Sequence, residues 1–200
     1  MLTETEPNRS NSQTDSSDSG RLWNEIRDGE RSALSELFCL YYRPLYLYGC
    51  TIVRCEELIK DSIQDLFLTL WKNRTTINDA RSVSSYLMSS LRRMLLRKIR
   101  KQRSICERNK SWCDQVAGYE PTIEELWARA ETDAEHCRLL AGAMECLSGR
   151  QKEAIYLKYY GGMSNSEIST VMEINRQSVY NHVSEAIRQM QGYIRQVKAA

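Results

Sequence analysis

The stretch SNSEISTVMEINRQSVYNHVSEAIRQM, Ser164 to Met190, decides how the rest of the chain is read. Ser164-x-x-Glu167 is a capping box, whose hydroxyl and carboxylate satisfy free N–H groups at a helix start. Ile168, Val171 and Ile174 then recur at helical spacing, and Asn175 is a good cap for a second helix. In that second helix Val179, Val183, Ala186, Ile187 and Met190 share one face, set to pack on the first. Gln177, Asn181, Ser184 and Arg188 point the other way, with Tyr180 and Glu185 on the shoulders. Two short helices joined by a turn of ~3–4 residues outline a helix-turn-helix.

The outward face has the chemistry of a base reader. Asn and Gln bond adenine in bidentate fashion, Ser bonds several base edges, and Glu accepts from cytosine. Arg176 and Arg188 suit phosphates. The same outline also serves as a plain helical hairpin with a polar outer face. The uncharged hydrogen-bonding face and a basic segment upstream favour DNA.

That segment is concealed in a net charge of only +2. Residues 1–20 carry one Lys/Arg against four Asp/Glu, and residues 21–103 carry sixteen against nine. Residues 104–143 are acidic, four against eight, and residues 144–200 return to seven against five. Two basic segments flanking an acidic one point to two contacts with a polyanion. The densest is LRRMLLRKIRKQR, Leu91–Arg103, with seven Arg/Lys and no acid. Its helix buries Val83, Leu87, Leu91, Met94 and Leu95 on one face, and turns Arg92, Arg93, Arg100 and Arg103 to the other. A merely solvated face would show opposite charges four residues apart.

With three prolines, nine glycines and almost no apolar–polar alternation, the chain reads as all-α. Residues 1–18 read as a disordered tail, low in hydrophobicity and rich in Ser. Residues 19–103 read as one helical domain, with helices over Leu22–Arg54, Glu56–Asn73 and Ser82–Arg103. Pro44 should kink or split the first of these. Residues 104–121 read as a linker. Residues 122–200 read as a second helical domain, containing a further capping box at Ser148-x-x-Gln151 and a Gly161-Gly162 break.

Several classes of function are disfavoured. Seven scattered cysteines without a CxxC pair fit reduced thiols, and the adjacent His136 and Cys137 supply too few ligands for a metal. No cofactor or metal is expected. No apolar leader and no run of ~18 apolar residues is present, so a soluble, cytoplasmic protein without membrane insertion is expected. Two histidines 46 positions apart, with no phosphate loop or nucleophile motif, argue against an enzyme.

The segment LSGRQKEAIYLKYYGGMSNSEISTVMEINRQSVYNHVSEAIRQMQ, Leu147–Gln191, resembles the fourth conserved region of sigma-70 family factors, their extracytoplasmic-function (ECF) group in particular. DSIQDLFLTLWKN, Asp61–Asn73, independently resembles the second conserved region. The resemblance covers about residues 21–195 and implies two helical domains, sigma region 2 and sigma region 4, on a flexible linker.

It further implies a subunit that binds core RNA polymerase and directs promoter-specific transcription initiation. Asp61, Gln64 and Asp65 match the family's core-polymerase contact. Asn78, Asp79, Tyr86, Arg92, Arg93, Arg97 and Arg100 match the loop and helix that open and hold the −10 element. Arg176, Gln177, Tyr180, Asn181, Ser184, Glu185 and Arg188 fall on the helix that reads the −35 element. Glu185 departs from the pattern, standing where many ECF factors have Arg; a carboxylate there must meet a base donor or be neutralised by a neighbour. A chain monomeric when free and restrained by an anti-sigma factor is also implied. The competing readings are a dimeric helix-turn-helix regulator acting without polymerase, against which no dimerisation helix is evident, and an interaction protein that makes no DNA contact.

Overall fold

A computed structural model describes residues 10–80, 82–108 and 134–199, and every described element is helical. The order is α1 (Ser10–Asp28), α2 (Arg31–Ile52), α3 (Glu56–Lys72), α4 (Val83–Arg108), α5 (Ala134–Glu145), α6 (Gly149–Ile155), a π-helical turn (Tyr156–Tyr160), α7 (Asn165–Met172) and α8 (Arg176–Ala199).

Three boundaries differ from the sequence reading. The expected disordered tail is helical from Ser10, because Leu22, Trp23 and Ile26 dock in the core and anchor the helix that extends back from them. Residues 1–9 lie outside the described residues. The long first helix is divided at Gly29, whose φ of +98° suits a residue without Cβ, and not at Pro44, which α2 runs through. The expected linker start at 104 is also corrected, since α4 continues to Arg108; the rest of the linker and the start of the second expected domain, up to residue 133, lie outside the described residues.

Local chemistry explains most of the remainder. Glu56 and Glu57 open α3 and Lys72 closes it, each favourable to the helix dipole. Leu58, Ile59, Ile63, Leu66, Phe67 and Leu70 form its buried stripe. Gly49 lets α2 approach α3, since a Cβ there would lie 2.6 Å from Ile59 Cγ2. Both capping boxes form, at Ser148/Gln151 and Ser164/Glu167. Beyond Ile155 the backbone widens into the π turn, which ends as Gly161 N–H donates to the Tyr156 carbonyl at 2.9 Å.

The two halves are in contact. One apolar cluster runs from Leu22, Leu37 and Leu87 in the first to Leu157, Ile168 and Met172 in the second. The seam lies where α4 meets α7 and α2 meets α6 and the π turn. Across it the Tyr156 hydroxyl donates to the Pro44 carbonyl at 2.7 Å, and the rings of Tyr48 and Tyr156 stack with centroids 5.8 Å apart. Burial pushes both hydroxyls well above the ordinary tyrosine range, so both stay protonated donors.

Candidate nucleic-acid interface

The helix-turn-helix is built from α7, a three-residue turn and α8. Glu173, the first turn residue, sits in the left-handed region at φ 55°, and Asn175 Oδ1 accepts from the Ser178 N–H at 2.7 Å, capping α8. Val179 and Ala186 are fully buried, and Val183, Ile187 and Met190 pack beside Ala186. The apolar side of α8 is therefore held rigidly. Gln177, Tyr180, Asn181, Ser184 and Arg188 are exposed on the opposite side, and Arg176 lies exposed at the helix start.

Side chains on this face order one another. Gln177 Nε2 donates to Asn181 Oδ1 at 3.1 Å, and Arg176 donates to Ser166 Oγ at 2.8 Å. Glu185 is neutralised by a neighbour, as its position demanded. Arg188 grips both its oxygens, at 2.9 and 2.5 Å, and Gln189 donates at 2.9 Å. The Arg188 hydrogen bonds, then that of Gln189, lower the Glu185 carboxyl to about 2, so the pair is fully ionised at neutral pH. Arg188 is correspondingly occupied by a carboxylate.

The basic helix α4 divides its arginines. Arg93, Arg97 and Arg100 are exposed as expected, and no carboxylate pairs with them among the described residues. Arg92, expected on that same basic face, is buried at 3% exposure. Its Nε donates to Glu153 Oε1 at 2.7 Å across the seam, so the closed chain gives it no free phosphate contact. Its burial follows from its neighbours: Leu91 and Leu95 face the first core, and the adjacent position faces α6 and α7.

Ahead of α4, the loop at Asn78–Ala80 is pinned from α1. Trp23 Nε1 donates to the Asn78 carbonyl at 3.3 Å, and Arg27 pairs with the Asp79 carboxylate. Tyr86 stays partly exposed while its ring meets Trp23 edge to face, centroids 4.9 Å apart. Beside this loop an open polar cavity of about 490 Å³ is lined by Asn24, Arg27, Asp28, Arg74 and Thr75. Trp23, Arg27 and Arg74 were missed as site residues. The apolar spacing of Leu22, Trp23 and Ile26 signalled a helix there, and nothing local signalled its partner 55 residues on.

On α3, Asp61, Gln64 and Leu68 form an outward stripe, with Leu68 at 68% exposure. Asp65 is half-exposed and accepts from Lys98 Nζ at 2.7 Å, which ties α3 to α4. Trp71 lies half-buried at the edge of the core, with the Arg74 guanidinium 4.4 Å from the ring centroid.

Residues 37–105 match the family described as Sigma-70 region 2, and residues 137–190 match Sigma-70, region 4. The chain belongs to the sigma-70 family. The ECF RNA polymerase sigma factor SigK of Mycobacterium bovis is 20% identical over 176 residues, spanning 88% of this chain and 92% of that protein. SigK of Mycobacterium sp. (strain JLS) is 21% identical over 168 residues, spanning 84% and 86%. Among solved structures, CnrH in complex with the cytosolic domain of CnrY gives a TM-score of 0.61 at 17% identity, covering 90% of this chain and 98% of that one. The sigma factor RpoE in complex with the anti-sigma factor NepR from Bartonella quintana gives 0.60 at 18%, covering 80% and 96%. At these identities the structures speak for the fold. The chain is thus a sigma factor of the ECF type, and its region 4 is a DNA-binding helix-turn-helix. No described helix is long and apolar enough to cross a membrane.

Proposed function

We propose that this sigma factor binds core RNA polymerase, directs it to promoters through two separate DNA contacts, and is held inactive by an anti-sigma factor. The reading rests above all on one observation: a rigid helix-turn-helix and a separate arginine-rich helix, matched to regions 4 and 2, occur in one chain.

The core contact is assigned to the outward stripe of α3, where Asp61 and Gln64 are exposed and Asp65 is set by Lys98. The −10 element is assigned to the loop and α4. Its unpaired strand would lie along Arg93, Arg97 and Arg100, with Tyr86 as a stacking surface and Asn78 and Asp79 at the cavity mouth. Arg92 joins this set only after leaving Glu153. The −35 element is assigned to α8 in the major groove: Gln177, Tyr180, Asn181 and Ser184 toward base edges, Arg176 and Arg188 toward phosphates, and Glu185 holding Arg188.

The chemistry is recognition and strand opening, and no covalent step is assigned to the chain. An anti-sigma partner is supported by the two similar structures, each a complex with a second protein, the cytosolic domain of CnrY in one and the anti-sigma factor NepR in the other. Run-off transcription tests the reading: core enzyme plus this chain should start RNA at a discrete site, and core alone should not. A chain that fails to bind core would overturn it.

A further inference from the structure

The apolar seam between the halves encloses an ionic contact. Glu153 is 4% exposed and Arg92 3% exposed, and the Tyr48 hydroxyl donates to the same Glu153 oxygen, at 2.7 Å, that accepts from Arg92. Two more carboxylates of the second half reach the same helix. Glu173 lies 4.0 Å from Arg92 Nη1, and Glu167 accepts from Ser85 Oγ at 3.4 Å near the start of α4. One side of the basic helix is thus met by three carboxylates of the second half, Glu153 and Glu173 at Arg92 and Glu167 at Ser85.

The closed arrangement is incompatible with two-site promoter binding. At ~3.4 Å per base pair, elements ~25 base pairs apart lie roughly 85 Å from each other along a duplex. The longest helix of the second half, α8, has 24 residues and so spans about 36 Å. Two halves in direct contact cannot reach both elements, so the seam must part.

We propose that Glu153, with Glu167 and Glu173, acts as an internal stand-in for DNA phosphate on α4, latching the free factor in a closed, inactive form through Arg92. The proposal rests on the two-site reading above and adds how the unbound chain is kept from using it. A buried ion pair suits a latch better than it suits a core. Taking both charges out of water offsets much of their attraction, so little is lost when both are rehydrated on opening. Once open, Arg92 exchanges one anionic partner for another.

The test uses the full chain without polymerase. Small-angle scattering should give a compact wild type, a larger radius of gyration for Glu153→Lys, and a return to the compact value for the swapped pair Arg92→Glu/Glu153→Lys. The apparent Kd of Glu153→Lys for core enzyme should fall several-fold, because a larger fraction of molecules is already competent. Should that variant lose helical content in circular dichroism, the isosteric Glu153→Gln decides in its place by the same two measurements. A well-folded Glu153 variant with the wild-type radius and wild-type core affinity would overturn the latch. Wild-type chain that is compact yet never initiates with core would instead overturn the functional reading, so the two failures are told apart.

Discussion

The two helices proposed to face nucleic acid are built on opposite principles. On α4 the charge is dense and of one sign, and its outward arginines have no carboxylate to hold them among the described residues. On α8 polar side chains are engaged with one another, Gln177 with Asn181 and Arg188 with Glu185. Free cations bind any phosphate, so α4 supplies affinity without choosing a sequence. Ordered donors and acceptors on a buried support choose, and contribute little general attraction. On the proposed function the labour is divided: the basic helix holds and the neutral helix selects.

The contrast can be broken most severely on α4. Charge reversal of Arg93, Arg97 and Arg100 together should lower open-complex formation ~100-fold or more at physiological salt and flatten the salt dependence by about two to three units of log–log slope. Next is the support. Leu87→Ala, at a fully buried position beneath α4, should cost ~2–5 kcal/mol in denaturant unfolding. Asn181→Ala should reduce discrimination at one promoter position by ~1–3 kcal/mol in competition binding, leaving the salt slope unchanged.

Smaller effects sharpen the comparison. Glu185→Gln frees Arg188, so α8 should gain about one unit of salt slope and lose selectivity, moving toward the behaviour of α4. The smallest expected effect is one of pH. The Glu185 carboxyl is depressed from its ordinary 4.5 to about 2, so the pair is complete above 4.5 and is lost only as pH falls through about 2. Sequence discrimination by α8 that shifted between pH 5 and 8 in the wild type, on account of this pair, would contradict that assignment.

The parts of this molecule that sequence made legible are those decided within one or two helical turns. The capping boxes at Ser148 and Ser164, the outward face of α8 and the exposure of Arg93 and Arg100 all follow from spacing alone. What escaped was set by distant partners. Arg92 is chemically indistinguishable from Arg93 in the sequence, and only Glu153, 61 residues away, draws it inward. Composition marked residues 10–18 as a tail, and packing of Trp23 beside the Asn78 loop gave the helix behind them its anchor. The neutralisation of Glu185 was legible in principle, since Arg188 stands three residues on, the spacing at which helix side chains meet.

On the proposed function one polymerase-bound chain makes two separated DNA contacts of different kinds. Transcribing a randomised promoter library with core enzyme and this chain, and sequencing the templates of successful initiation, tests it most directly. The account predicts two enriched blocks at a fixed spacing upstream of the start, with the upstream block alone losing definition when Asn181 is replaced by Ala. A single palindromic block, or enrichment that does not depend on core enzyme, would contradict it.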